Sequence, residues 1–251
     1  MKISILASPA ADAQAARAAL VSVYGQVSPD IADVIVALGG DGFMLETLGQ
    51  AADLDVPVYG MNRGTVGFLM NAFDPEDLPA RIAAAREEVI HPLVLEARDV
   101  IGTRFRAHSI NDVSLLRQGP QAANLGISVD GHERLDRLVC DGVLVATPAG
   151  STAYNYSAYG PILPIGANVL ALTPIAAFRP RRWRGAVLPE KALVSITVHD
   201  PEKRPVMANA GREVISDIAE AKITLDRGRA HRALFDPGHS LEERILDEQF
   251  Q

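Results

Sequence analysis

The sequence predicts an α/β N-terminal domain with a mainly parallel sheet, followed by a β-rich C-terminal domain. Three observations carry this. Short apolar, β-branched runs alternate with helix-forming stretches up to about residue 90, the pattern of strand–helix–strand units. The texture changes at His91-Pro92, after which strand-like segments dominate. At 251 residues and 48% hydrophobic content, the chain is long and apolar enough to bury one large core or two modest ones.

In order, residues 2–7 read as a first strand and 11–23, rich in strong helix formers, as a helix. A second strand over 33–38 runs into Gly39-Gly40-Asp41-Gly42, and a helix over 43–51 leads out. A short strand follows at 57–61. Residues 75–88 read as a helix with Asp74 as N-cap and Pro75 in first position, the charges between Ala80 and Glu88 forming its solvated face. From Leu93, strands are expected at 93–99, 103–107, 112–117, 124–130, 133–138, 143–147, 168–172, 192–199, 205–207 and 221–226. Asp130-Gly131 marks a hairpin turn. Ser240 to Leu246 reads as a capped amphipathic turn or two of helix. The expected division is therefore 1–92, completed by about 235–251, and 93–234.

Bulk properties exclude several classes. A net charge of −7 argues against a general nucleic-acid surface. No apolar run approaches the roughly 20 residues of a membrane helix, and the N-terminal run is too short for a signal peptide. The expected setting is cytoplasmic. The one cysteine, Cys140, forbids an internal disulfide and reads as a small buried hydrophobe. The six histidines are scattered without metal-ligand spacing. There is no G-x-x-x-x-G-K-[ST] loop, and no G-x-G-x-x-G follows the first strand, which sets aside P-loop kinases and dinucleotide-dependent dehydrogenases.

Four stretches carry chemistry. In Gly39-Gly40-Asp41-Gly42, a strand–turn–helix arrangement presents backbone N–H groups to phosphate. Its central acid suits a hydroxyl proton or a metal ion; locally, Asp41 also fits a helix cap. Asn62-Arg63-Gly64-Thr65-Val66-Gly67-Phe68-Leu69 again places glycines after a strand, with Phe68 either lining a pocket or joining the core. Asn111-Asp112 suits adenine or ribose recognition, or an Asx turn. The fourth, Asp141 to Tyr154, is a buried strand ending in Thr147-Pro148-Ala149-Gly150-Ser151-Thr152-Ala153-Tyr154, with Ser157 and Gly160-Pro161 beyond. Its hydroxyls and small residues let a ligand approach the backbone.

Together and in this order, the four stretches resemble the NAD kinases, from about Val34 to Arg179. That family carries a Gly-Gly-Asp-Gly turn, an Asn-x-Gly-x-x-Gly-Phe-Leu segment, an Asn-Glu pair and an Asp-Gly strand ending in Thr-Pro-Thr-Gly-Ser-Thr-Ala-Tyr. The chain departs from it at Asp112 (usually Glu), at Ala149 (usually Thr or Ser), at Tyr159 (usually small) and at Asn209-Ala210-Gly211, where an Asp is common.

The resemblance implies a phosphotransferase with an alcohol acceptor, moving the γ-phosphoryl group of ATP to the 2′-hydroxyl of the adenosine ribose of NAD to form NADP. Asp41 would be the catalytic acceptor, and Gly39, Gly40 and Gly42 would receive phosphate. Gly42, Phe68, Asn111, Asp112, Asp141, Ala149, Thr152, Ala153, Tyr154 and Ser157 would contact NAD. Mg²⁺, or another divalent cation, would ride on the ATP phosphates rather than in a side-chain cage. The resemblance also implies a homo-oligomer, dimer or tetramer, with Asp141 reaching a neighbour's site. The glycine turn belongs to the first domain and most of its partners to the second, so the active site is expected in the cleft between them. The basic cluster of Arg179, Arg181, Arg182 and Arg184 around Trp183 reads as a solvated or interface face, or as a phosphate contact. A lipid kinase with the same glycine turn and a non-catalytic nucleotide sensor are the competing readings.

Overall fold

The computed structural model describes residues 1–64, 67–181 and 183–238. They divide into two units: Met1–His91 together with the chain from Gly228, and Pro92–Arg227.

The first unit contains β1 (Ile3–Ala7), α1 (Ala11–Tyr24), β2 (Val34–Gly39), α2 (Asp41–Ala52), β3 (Val58–Asn62), α3 (Leu78–Ala84) and β4 (Arg86–Ile90). β1, β2 and β3 pair in parallel. Every residue of β2 is buried, which an alternating pattern would not give and a strand covered on both faces does. Val34, Val36 and Leu38 join Ala13, Ala16 and Leu20 of α1 and Leu78 and Ile82 of α3 in one cluster. α2 buries Met44, Thr47, Leu48 and Ala51.

The helix expected over 75–88 is shorter than its composition indicates. Asp74 Oδ1 accepts from Glu76 N–H at 2.9 Å in a local turn, and the helix starts only at Leu78, after Asp77 at φ +48°. It ends at Ala84, and Arg86–Ile90 continues as an edge strand. The charges there lie on that strand rather than on a helix face. Glu87 takes both Arg232 Nε and a terminal Arg232 nitrogen at 2.8 Å. A partner far downstream thus overrides the helical propensity of Arg86-Glu87-Glu88.

In the second unit, β5 (Leu93–Asp99), β6 (Arg104–Ser109), β7 (Asp112–Arg117), β8 (Ala123–Val129), β9 (His132–Cys140) and β10 (Gly142–Ala146) come first. A single helical turn, α4 (Tyr154–Ser157), precedes β11 (Val169–Ile175), β12 (Ala186–Pro189), β13 (Val194–Val198), β14 (Val206–Ala210), β15 (Glu213–Ile215) and β16 (Ile218–Leu225). The strands form two antiparallel sheets, ordered β12-β11-β10-β7-β14-β15 and β6-β5-β16-β13-β8-β9. Their inward residues share one core that includes Leu95, Leu115, Leu125, Val143, Ile196 and Ile223. Asp130 and Gly131 have φ of +52° and +77°, the doubly left-handed backbone of a two-residue hairpin turn. Cys140 is 1% exposed in this core, and burial pushes its thiol up to about 12; it packs as a hydrophobe.

The last strand, β17 (His231–Phe235), returns to the first unit. It lies between β3, to which it is parallel, and β4, to which it is antiparallel. Residues 228–234, assigned to the second domain on the sequence pattern, thus belong to the first unit's sheet. The strand has five residues, its register set by β3 and β4 rather than by local alternation. The segment expected as a C-terminal helix lies outside the described residues.

Candidate active site

The glycine turn closes β2 and opens α2. Gly40 is the N-cap and Asp41 the first helical residue, and no side chain caps the helix. Phe43 and Met44 N–H both donate to Gly40 O. The amides before them belong to the first turn, where a helix leaves donors without internal partners. A Cβ at Gly40 or Gly42 would meet only open space, whereas one at Gly39 would sit 2.9 Å from Phe43 Cβ.

Asp41 does not cap; it latches. Its Oδ2 accepts from Phe68 N–H at 2.7 Å and its Oδ1 from Leu69 N–H at 2.9 Å. Arg63 N–H donates to Gly39 O at 2.8 Å, and Gly64 N–H to Asn62 Oδ1 at 2.9 Å. The second motif is thereby folded onto the first. Gly67 is required by this contact, because its Cβ would lie 2.3 Å from Asp41 Oδ1. A carboxylate has about four acceptor sites, so each oxygen keeps capacity for another donor. Phe68 is half-buried; Thr65 and Val66 lie outside the described residues.

In the second unit, β7 and β10 pair so that Asp112 faces Ala146. The loops at that end are tied together. Thr147 N–H and Oγ1 donate to Asn111 O and Ile110 O, and Gly150 N–H donates to Thr147 Oγ1. A Cβ at Gly150 would stand 2.1 Å from Asn111 O. Asn111 Oδ1 is buried without a hydrogen-bond partner. Burial pushes the Asp112 carboxyl up to about 6. A buried amide oxygen and a desolvated carboxylate side by side lack donors, and a nucleoside's amino group and hydroxyls are donors.

The hydroxyl-rich stretch divides into structure and surface. Ser151 Oγ donates to Pro148 O and accepts from Leu163 N–H at 3.0 Å, so this hydroxyl shapes the turn rather than facing a ligand. Asn155, which sequence reasoning passed over, is the hub. Its Nδ2 donates to Ser151 O and Pro161 O, and its Oδ1 accepts from Thr173 Oγ1 at 2.6 Å. The neighbouring Gly160 admits no Cβ, which would lie 2.1 Å from Asn155 Oδ1. Ala149 is buried, Thr152 and Ala153 are half-buried, and Tyr154 and Ser157 are exposed on α4. Tyr159 has φ +62° and an exposed ring, in a backbone region where glycine is unstrained.

The described residues contain no group of three or more His, Cys, Asp or Glu placed to hold a metal ion. Nor does any helix among them have the length and apolarity to cross a membrane.

These two loop systems coincide with the comparisons to known proteins. The model of the ATP-NAD kinase N-terminal domain matches residues 11–89, and that of the ATP-NAD kinase C-terminal domain matches residues 110–235. The chain belongs to the NAD kinase family. It is 59% identical over 249 residues to the NAD kinase of Cereibacter sphaeroides strain ATCC 17025, covering 99% of this chain and 98% of that one. To the NAD kinase of Caulobacter vibrioides it is 56% identical, covering 99% and 96%. The fold is shared with yeast NADH kinase complexed with NADH (TM-score 0.82, 21% identity, 100% of this chain and 87% of that one). It is also shared with an NAD kinase from Archaeoglobus fulgidus in complex with ATP (TM-score 0.73, 24% identity, 99% and 98%).

For a member of the NAD kinase family, the placement of Asp141 is informative. It precedes β10, and its Oδ1 takes Arg117 Nε at 2.6 Å. Arg117 and Asp112 are the two ends of β7, so Asp141 lies about 15 Å along the strands from the Asn111-Asp112 loop. The structure gathers Asn111, Asp112, Ala149, Thr152, Ala153 and Tyr154 at one end of the sheet and leaves Asp141 at the other. In the basic cluster, the Arg179 and Arg181 guanidiniums lie 5.5 and 6.0 Å from the exposed Phe178 ring; Arg182 is outside the described residues. Asn209 and Ala210 end β14, and Gly211 turns at φ +60°, so the absent Asp is replaced by a plain strand end.

Proposed function

We propose that the chain transfers the γ-phosphoryl group of ATP to the 2′-hydroxyl of the adenosine ribose of NAD, yielding NADP and ADP. The observation that carries this reading is the Asp41 carboxylate, fixed by the Phe68 and Leu69 amides and keeping a free acceptor site on each oxygen. Phosphoryl transfer needs positioning and charge neutralisation more than covalent chemistry. In our reading Asp41 accepts the hydrogen bond of the attacking hydroxyl and aims its oxygen. The amides beside Gly40 and Gly42 receive phosphate. Asn111 with Thr152 and Ala153 holds the adenine, Asp112 accepts from ribose, and Phe68, Ala149, Tyr154 and Ser157 line the dinucleotide site.

Mg²⁺ belongs to this reading as part of the ATP substrate, held by its phosphates. We also place Asp141 in a neighbour's site within a homo-oligomer; its position at the far end of β7 and β10 from Asp112 supports this. A cytoplasmic setting agrees with a single buried cysteine.

The test is direct. The protein is incubated with NAD, ATP and Mg²⁺, and NADP is assayed with a strictly NADP-dependent reporter enzyme. Absence of NADP above background rejects the reading. Turnover with a diacylglycerol in place of NAD would favour the lipid-kinase alternative.

A further inference from the structure

We infer that Arg63 is a phosphate clamp for the nucleoside triphosphate donor, a second anchor beside the glycine turn; this rests on the kinase reading above. Arg81, Arg117, Arg229 and Arg232 all have carboxylate partners. Arg63 has none among the described residues, and its Nε is buried without a hydrogen-bond partner. Its guanidinium lies over the Phe73 ring, 4.4 Å from the centroid. Its own N–H donates to Gly39 O at 2.8 Å, which fixes the start of the side chain at the glycine turn.

A half-buried cation without a counter-charge carries a desolvation cost that the fold leaves uncompensated. The compensating anion must come from outside. Stacking on Phe73 fixes the guanidinium plane, and a fixed plane suits two-point contact with phosphate oxygens. Only Nε is sealed, so the terminal nitrogens remain available for that contact. Two phosphate groups belong to the reaction, the triphosphate of ATP and the pyrophosphate of NAD. Arg63 is tied to the turn assigned to the donor's phosphates, which selects the triphosphate. In the family pattern quoted above, the residue between Asn62 and Gly64 is unspecified, so the family motif does not assign this role.

The experiment compares wild type with Arg63→Met, Arg63→Lys and Phe73→Leu in steady-state NADP formation, varying ATP and NAD separately. Arg63→Met should raise KM for ATP about tenfold or more while KM for NAD stays within about twofold, the expected loss of a bidentate charged contact. Arg63→Lys, which keeps the charge but loses the fork, should fall between. The ligand-free Arg63→Met protein should melt no lower than wild type. Its thermal midpoint should lose most of the rise that inorganic tripolyphosphate gives wild type. An unchanged KM for ATP, or a rise in KM for NAD instead, overturns the clamp. So does a lowered melting midpoint with an undiminished response to tripolyphosphate. Should Arg63→Met fail to fold, Phe73→Leu decides: a KM for ATP raised severalfold supports the clamp and an unchanged one rejects it. A wild-type protein that makes no NADP rejects the kinase reading itself, a separate outcome.

Discussion

Replacing Asp112 with asparagine should make the protein more stable and a poorer binder of its dinucleotide. Burial raises the Asp112 carboxyl from 3.8 to about 6. The folded state therefore holds its proton more tightly than the unfolded chain does. The sign follows: the penalty is fully present above about pH 6 and disappears as pH falls towards 4. The gap corresponds to at most about 3 kcal/mol, less what residual solvent contact recovers. Asp112→Asn keeps the shape and removes the charge. Urea unfolding at pH 7.5 should show a gain of about 1–3 kcal/mol, and the gain should shrink at pH 4.5. Function should move the other way. In wild type, kcat/KM for NAD should rise with pH through about 6, as the carboxylate that accepts the ribose hydroxyl forms. In Asp112→Asn that limb should vanish and KM for NAD should rise about tenfold or more. A variant no more stable than wild type at pH 7.5, or one that keeps the pH limb, refutes the reasoning.

Other perturbations address the two loop systems. Gly67→Ala puts a Cβ into Asp41 Oδ1; turnover should fall about a hundredfold with the melting midpoint nearly unchanged, checked by kinetics and calorimetry. Asp41→Asn swaps one acceptor oxygen for an N–H₂ facing a backbone N–H. It should abolish most turnover and speed hydrogen exchange at Phe68 and Leu69. Asn155→Ala strands Thr173 Oγ1 and two carbonyls. It should cost about 3 kcal/mol and lower the thermal midpoint by about 6–12 °C.

The sequence made the alternating half of the fold legible because β2 and its neighbours are apolar throughout and end at glycine turns. The strands from Leu93 to Ala146 were readable for the same reason, with Asp130-Gly131 fixing one hairpin. What escaped was structure imposed from a distance. Arg86–Ile90 has helical composition but pairs with β17, and the short β12 and β15 have too few residues to display a period. The chemistry-bearing stretches were also visible as strings. Their division of labour was not. Nothing in the string separates Ser151, which braces its own turn, from Thr152 beside it. Nor does it reveal that Asp41 spends a lone pair of each oxygen on Phe68 and Leu69. Asn155 gave no signal because its three partners come from separate places in the chain.

The position of β17 has a consequence for how the molecule is made. During synthesis the second unit leaves the ribosome whole, while the first is still missing a strand between β3 and β4. Until that strand arrives, β3 has an open, apolar edge, the kind of surface that pairs with other chains. Closure then joins distant positions: the Tyr59 hydroxyl meets Asp236 Oδ1 across 177 positions of sequence. Contacts of that separation form late. A chain cut before His231 loses the buried Ala233, Leu234 and Phe235 together with this closure, and should accumulate as aggregate. The fragment that can be expressed alone is the later-encoded Pro92–Arg227, not the N-terminal half that carries the glycine turn.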